Sequence, residues 1–264
     1  MNEKNLPVAE QNYALRPAVR GKFLYVGNKK LWVKGVTYGT FRPDENNDQF
    51  PPRQQVEQDF ATMAGNGINC VRTYTPAPRW LLDVAQKNGL RVMVGLAWEQ
   101  HVTFLDDKKI TERIIQRIRT GVKACAKHPA LLCFTIGNEI PPSIVRWHGH
   151  RRIEIFLHTL YRLAKAEDPG ALVTYVSYPT TEYLQLSFLD FICFNVYLEA
   201  PANLEAYLAR LQTRWGLHCI DDRPVLARLV FKDSHLCRAI RIYIRMPIKM
   251  VRSEVHPHSS HGSK

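Results

Sequence analysis

The chain has 264 residues, of which 45% are hydrophobic and 23% charged, and its formal net charge is +12. This length suits one α/β barrel or two small domains, and the composition is that of a globular protein. No apolar run approaches the roughly 20 residues of a membrane span, and the polar start at residues 1–5 is not a secretory signal, so we expect a cytoplasmic protein.

Strand and helix patterns alternate along the chain, which predicts a parallel sheet. Residues 1–20 are polar and are assigned to a leader, and residues 22–33 predict a hairpin that turns at Gly27 and Asn28. The strands predicted after this turn lie at residues 32–38, 69–73, 91–97, 131–136, 172–178 and 191–196, and a seventh begins at 224–227. The helices predicted between them lie at residues 54–66, 79–88, 110–127, 151–167 and 203–215.

Seven strands that alternate with helices fit either an open doubly wound sheet or a (β/α)8 barrel. No glycine fingerprint follows the first strand, so a dinucleotide-binding sheet has no support. Polar residues at the ends of several strands favour the barrel, and these are Arg72, Trp98, Glu99, Asn138, Glu139, Asn195 and Tyr197. The predicted fold class is therefore α/β, a TIM barrel, which occupies residues 21–227.

The apolar run at residues 131–137 predicts a fully buried strand, and it ends in Asn138 and Glu139. In barrel folds, the catalytic groups lie at the carboxyl ends of the strands. A carboxyl group shielded from water can keep its proton near neutral pH and deliver it to a leaving oxygen. We therefore predict a catalytic role for Glu139, and the alternative is a solvated strand end followed by a helix cap.

The six cysteines form no CxxC pair and show no metal-ligand spacing. Cys70, Cys133 and Cys193 lie inside apolar runs, where free cysteine behaves as a small core residue. We therefore expect reduced cysteines and no metal site. Glu99 and His101 are neighbours that suggest a metal pair, but two such loop residues are more often solvated.

Four segments in order carry a resemblance to a known family: residues 35–38 (GVTY), 67–72 (GINCVR), 137–139 (GNE) and 194–197 (FNVY). The chain resembles the TIM-barrel catalytic domain of retaining glycoside hydrolases, in the clan that includes family 2 β-glycosidases and family 5. It is most similar to the family-2-like module found beside glycosyltransferase domains in some bacterial proteins. The resemblance implies hydrolysis of O-glycosidic bonds in β-glycosides, a carbohydrate substrate, an association with a glycosyltransferase module, and no cofactor.

The resemblance also implies roles for individual residues. Glu139 would be the general acid/base, Asn138 would bind the sugar 2-hydroxyl, and Arg72 and Tyr197 would contact the nucleophile. The residues expected to bind substrate are Trp98, Asn195 and Tyr38. Three alternatives stay open: Arg72 as a structural ion-pair residue, Tyr197 with its hydroxyl in water, and Trp98 as a packing residue.

The sequence departs from the family pattern at the nucleophile. A retaining glycosidase needs two carboxylates about 5–5.5 Å apart. The family's nucleophile is a Glu at the end of the seventh strand, where this sequence has Arg228. A guanidinium stays protonated and cannot attack an anomeric carbon. Neither Asp233 nor Glu199 is an obvious substitute, so we expect no nucleophile and an impaired reaction. A non-catalytic carbohydrate-binding or scaffold barrel is the main alternative.

Residues 228–264 form a basic, atypical tail. They contain eight Lys and Arg residues against two acidic ones, a net charge of +6 that is half of the total. The charge is therefore local, and a nucleic-acid partner bound through the tail is the least favoured hypothesis. Residues 240–246 alternate apolar with mostly basic residues, which is unsuited to an eighth barrel strand, and residues 256–264 have a disordered composition.

We therefore predict a barrel that is incomplete after its seventh strand. Its first and seventh strands would present unpaired edges unless a partner or the tail covers them. A shift of reading frame near codon 227 would explain the unrelated ending. Translation of the gene in its other two frames tests this hypothesis, because one of them should encode a Glu followed by a helix and a strand.

Overall fold

The structure is a computed structural model that describes residues 15–21, 23–45, 49–198 and 200–216, together with three short strands further along the chain. A small antiparallel sheet comes first, formed by β1 (Pro17–Arg20), β2 (Phe23–Val26) and β3 (Lys29–Lys30). The turn of the predicted hairpin is confirmed, but the returning strand is Lys29–Lys30 instead of residues 31–33. The strand β1 lies inside the segment that the sequence assigns to a leader.

Six parallel strands form the main sheet, and each pairs with the next along the chain. They are β4 (Lys34–Thr37), β5 (Cys70–Thr73), β6 (Arg91–Gly95), β7 (Leu131–Asn138), β8 (Val173–Ser177) and β9 (Phe191–Phe194). The helices are α1 (Arg53–Gly65), α2 (Arg79–Lys87), α3 (Lys108–Cys125), α4 (Pro142–His148), α5 (His150–Glu167) and α6 (Pro201–Gly216). The predicted elements of this region are all present, with ends within two residues of the prediction.

Helix α4 was not predicted. The basic sequence of residues 146–152 by itself predicts an exposed approach to the next helix, whereas the chain folds into a short helix that begins with Pro142 at its first turn. Arg146 and Trp147 are exposed as expected, but His148 is buried against the ring of Phe104. The interpretation was therefore wrong for His148.

The sheet curls into part of a barrel and stops short of closure. Strand β10 (Val225–Leu226) lies parallel to β9, as predicted for a seventh strand. On the opposite edge, β4 pairs in antiparallel fashion with β12 (Arg241–Tyr243), which pairs with β11 (Val230–Phe231). Among the described strands, no eighth parallel strand joins the two edges. The fold class is therefore an incomplete TIM barrel, as predicted, and a strand of the tail covers the edge of β4.

Three apolar clusters form in the described part of the chain, and the two largest cover the two faces of the sheet. The larger one lies between the strands and the helices that surround them, and it includes Phe60, Leu81, Ile118, Phe134 and Leu157. The smaller one lies on the other face of the sheet, and it contains Cys70, Met93, Cys133, Phe191 and Cys193, covered by Leu24 of β2. Cys70, Cys133 and Cys193 are all buried, so the prediction that they are small core residues is confirmed. Alternating strand residues therefore serve both clusters, which explains the continuous apolar runs in the sequence.

The N-terminal segment is fastened to the barrel by an ion pair. Arg16, directly before β1, donates two hydrogen bonds to the carboxylate of Asp168, directly after α5, at 2.6 and 2.8 Å. The same carboxylate accepts the backbone N–H of Lys127 at 2.8 Å.

Within the described part of the chain, no helix is long and apolar enough to cross a membrane.

Candidate active site

Three polar side chains meet at the carboxyl edge of the sheet. Arg72 lies on β5, Asn138 ends β7, and Asn195 directly follows β9. Arg72 Nη2 donates to Asn138 Oδ1 at 2.7 Å, and Arg72 Nη1 donates to Asn195 Oδ1 at 3.4 Å. Asn195 Nδ2 donates to Asn138 Oδ1 at 3.1 Å. Parallel strands bring their carboxyl ends to one edge, so residues far apart in sequence form one hydrogen-bonded cluster.

The carboxylate of Glu139 lies beside this cluster. Its Oε1 atom accepts hydrogen bonds from Asn195 Nδ2 at 2.8 Å and from the Tyr197 hydroxyl at 2.6 Å. Glu139 is half-buried, and Tyr197 is 49% exposed. One carboxylate oxygen thus has two fixed donors, while the group as a whole stays accessible to a ligand from solvent.

Glu139 has a backbone φ of +51°, in the left-handed region that non-glycine residues rarely adopt. Its N–H donates to the Val176 carbonyl at 2.9 Å, and the next N–H, of Ile140, donates to the Tyr175 hydroxyl at 2.8 Å. Such backbone strain persists where the surroundings hold it, and it clusters at functional sites. Contacts from β8 therefore aim the Glu139 side chain into the cluster.

Gln100 contacts the backbone of Asn138 at two points. The Asn138 N–H donates to Gln100 Oε1 at 3.1 Å, and Gln100 Nε2 donates to the Asn138 carbonyl. Gln100 was not among the residues predicted from the sequence. The one signal that could have found it is its place in the polar loop that follows β6, three residues after the predicted end of that strand at residue 97.

Two predicted substrate-binding residues lie outside the cluster. Tyr38 is buried, and its hydroxyl donates to Asp59 of α1 at 2.6 Å. Trp98 is only 6% exposed, and its indole N–H donates to the Ile136 carbonyl at 2.8 Å while its ring packs against Phe104. The packing alternative describes Trp98 in this structure. Asn195, the third predicted substrate-binding residue, belongs to the cluster.

The alternative for Tyr197, a hydroxyl that contacts only water, disagrees with its bond to Glu139. The resemblance also implies that Tyr197 contacts the nucleophile, but the position that would carry the nucleophile, Arg228, lies outside the described residues. Asp233 and Glu199 lie outside them too. Arg72 donates to amide oxygens of the cluster and lies 4.7 Å from the centroid of the Tyr74 ring.

Two tyrosines beside Glu139 keep their protons. Burial raises the pKa of Tyr175, and the negative charge of Glu139 adds to the rise. Burial also raises the pKa of Tyr178, where a hydrogen bond to Thr180 lowers it and the charge of Glu139 raises it. These phenols therefore contribute no negative charge near neutral pH.

In the part of the chain that the structure describes, no group of three or more His, Cys, Asp or Glu side chains could hold a metal ion.

The fold and the edge cluster define the class of the protein, a TIM-barrel domain with an asparagine–glutamate pair at the end of a strand. Residues 18–218 match the family described as glycosyl hydrolases family 2, TIM barrel domain. The chain belongs to this family, and the resemblance found in the sequence is thereby confirmed.

Solved structures of family-2-type enzymes share the fold. A β-glucuronidase from Ruminococcus gnavus matches with a TM-score of 0.63 and 14% identity, over 82% of this chain and 38% of that one. A β-galacturonidase from Eisenbergiella tayi, bound to galacturonate, matches with a TM-score of 0.63 and 19% identity, over 82% and 37%. For β-glucuronidase 2 from Bacteroides uniformis, the values are 0.63 and 17%, over 79% and 25%. The chain thus spans less than two fifths of the length of these proteins.

Proposed function

We propose that this chain is a glycoside hydrolase domain that binds a β-linked glycan at the edge cluster and performs the proton transfers of cleavage through Glu139. The observation that supports the proposal is the setting of one carboxylate. Glu139 lies at the carboxyl end of β7, its Oε1 atom held by Asn195 at 2.8 Å and by Tyr197 at 2.6 Å. A general acid must be fixed in place before it can protonate a leaving oxygen efficiently.

Asn138 is suited to hold the sugar. Its amide oxygen accepts hydrogen bonds from Arg72 and Asn195, which orients the side chain. Its amide nitrogen has no hydrogen-bond partner among the described residues, so it can donate to a sugar hydroxyl. The resemblance implies that this hydroxyl is the one at C2, where hydrogen bonds strengthen in the transition state of glycoside cleavage.

The chemistry divides into two proton transfers. Protonated Glu139 gives its proton to the glycosidic oxygen while the bond between this oxygen and the anomeric carbon breaks. The resulting carboxylate then takes a proton from the water that attacks the anomeric carbon. In a retaining reaction, a second carboxylate attacks this carbon as the glycosidic bond breaks, and the water later displaces that carboxylate. Because the sequence carries Arg228 at that position, we propose that this chain retains the acid/base function and lacks the attacking group.

The test uses activated aryl β-glycosides with and without an added small nucleophile. Aryl β-glucuronides and β-galacturonides are the first substrates to try, since similar folds carry these activities. We expect slow release of the phenol that azide or formate accelerates, because the added anion attacks the anomeric carbon in place of the absent carboxylate. Glu139→Gln should abolish the turnover of substrates with poor leaving groups. Glu112→Gln, which changes an exposed glutamate on α3, is the matched control.

A carbohydrate-binding or scaffold role is the second candidate, and the observation that favours it is Arg228 at the nucleophile position. Saturable binding of glycosides without phenol release, in the presence or absence of azide, would select this role. A wild-type chain that neither binds nor cleaves any of these glycosides would contradict both candidates.

A further inference from the structure

We propose that Gln100 is a positioning residue for the Asn138–Glu139 pair, an inference that rests on the acid/base function proposed above. Gln100 lies in the loop after β6, outside any strand. Its side chain nevertheless forms hydrogen bonds with the backbone of β7, as a neighbouring strand would.

The argument begins where β6 ends. Gly95 is the last residue of β6, and it pairs with Thr135 of β7; the Leu96 N–H then donates to the Thr135 carbonyl at 3.0 Å. Strand β7 continues to Asn138, so its final residues extend beyond the end of β6. A backbone edge left without partners would be costly in a buried position.

Side chains of the loop after β6 replace the missing strand partners. The indole N–H of Trp98 donates to the Ile136 carbonyl at 2.8 Å. The carboxamide of Gln100 then accepts the Asn138 N–H at 3.1 Å and donates to the Asn138 carbonyl. A carboxamide has the same donor and acceptor pair as a peptide group, which is why it can take the place of one.

The two contacts of Gln100 fix the two peptide planes on either side of the Asn138 Cα atom. The second of these planes leads directly into Glu139, whose φ is +51°. On the opposite side, Val176 accepts the Glu139 N–H at 2.9 Å. Gln100 and β8 therefore hold the strained turn from both edges, and the loss of one edge would let the carboxyl group move.

Misplacement of Glu139 has a kinetic signature that general destabilisation lacks. A displacement of about 1 Å can cost roughly 100-fold in rate. Substrates with poor leaving groups need the proton of Glu139, whereas activated aryl glycosides need it far less. A misplaced acid therefore slows the first kind of substrate much more than the second, while loss of folded protein slows both equally.

The experiment compares Gln100→Met, which keeps the volume and removes both hydrogen bonds, with Gln185→Ala. Gln185 also donates from its carboxamide to a backbone carbonyl, that of Tyr183 at 3.0 Å, and it is exposed. Amide hydrogen exchange is measured by NMR in both variants. We expect the Asn138 amide to exchange at least about 10-fold faster in Gln100→Met, with the amides of β5 unchanged, and no change in Gln185→Ala.

Turnover is then measured with a good and a poor leaving group. We expect Gln100→Met to lower kcat for the poor leaving group about 10-fold or more relative to the good one, with KM little changed. Unchanged exchange at Asn138 would overturn the proposal, and so would faster exchange with an unchanged ratio of the two rates. If the wild-type chain neither binds nor cleaves glycosides, the proposed function fails, and the exchange result alone then decides whether Gln100 sets the turn.

Discussion

Asp168→Asn tests how much the contact between the N-terminal segment and the barrel contributes to stability. The carboxylate of Asp168 is buried, and it accepts three hydrogen bonds, two from Arg16 at 2.6 and 2.8 Å and one from the Lys127 N–H at 2.8 Å. The substitution keeps the shape of the side chain, removes its charge and replaces one acceptor by an NH₂ group. Whichever way the new amide turns, that NH₂ group faces an N–H donor.

The expected loss of stability follows from these contacts. A hydrogen bond to a charged group contributes about 1.5–3 kcal/mol. The variant loses one such bond outright, and the others become bonds to a neutral group. Because the Arg16 side chain is 29% exposed, solvent screening reduces the contribution of its hydrogen bonds to stability. We therefore expect the free energy of unfolding to fall by about 2–3 kcal/mol at pH 7, an effect between that of an exposed and a fully buried pair.

The assay is urea denaturation followed by circular dichroism, with Glu57→Gln as the control. Glu57 pairs with Arg53 on the surface of α1 at 3.2 Å, where we expect a loss below about 0.5 kcal/mol. An Asp168→Asn loss no larger than that of the control would refute the reasoning.

The pH dependence gives a second check. Burial alone would raise the pKa of Asp168, but the hydrogen bonds from Arg16 and Lys127 and their positive charge lower it below its ordinary value. An acid with a lowered pKa in the folded state contributes stability above its unfolded pKa, about 3.9, and that stability disappears as the pH falls through the folded pKa. The difference between the wild type and Asp168→Asn should therefore shrink below about pH 4.

Two further predictions concern packing and protonation. In Gly137→Ala, the new Cβ would lie 3.2 Å from the Tyr175 ring and 3.4 Å from Trp98, so we expect the free energy of unfolding to fall by about 1–3 kcal/mol. In Gly65→Ala, the new Cβ has nothing within 4 Å, and we expect the free energy of unfolding to rise by about 0.5–1 kcal/mol. Equal urea midpoints for the two variants would contradict this. Burial lowers the pKa of His148, so the unfolded chain takes up a proton first and stability falls as the pH drops through about 6.5. His148→Gln should weaken this fall between pH 7.5 and 5.5, and an unchanged pH slope of the urea midpoint would count against it.

The barrel strands could be predicted from the sequence because each is buried on both faces. Strands such as β6 and β7 therefore appear as apolar runs bounded by glycine or polar residues, a pattern that survives without any knowledge of contacts. Helix α4 could not be predicted in this way. It has only seven residues, two prolines precede or begin it, and its basic residues obscure the buried face that Val145 and His148 provide.

Site residues at the ends of strands could be predicted from the sequence, whereas a residue that contacts only the main chain could not. Arg72, Asn138 and Asn195 were expected at one edge because barrel strands place such residues there, and the family resemblance implied their roles. Gln100 was missed because its partner is the main chain of Asn138, which has no side-chain signature. Trp98 was given a sugar-binding role for its aromatic ring, yet its burial depends on Phe104 and on the length by which β7 exceeds β6.

The distribution of the cluster over the sheet explains how an incomplete barrel can hold the proposed acid/base residue in place. Arg72, Asn138 with Glu139, and Asn195 come from β5, β7 and β9, which all lie within one continuous run of six parallel strands. Among the described residues, the hydrogen bonds of Glu139 are formed with Asn195, Tyr197 and Val176, which lie in this run or within three residues of the end of β9. The attacking carboxylate, by contrast, is expected at the end of the seventh strand, where the family resemblance ends. The proposed acid/base residue and the expected nucleophile position are thus structurally separable, because β5, β7 and β9 pair within the run of six strands without the seventh strand.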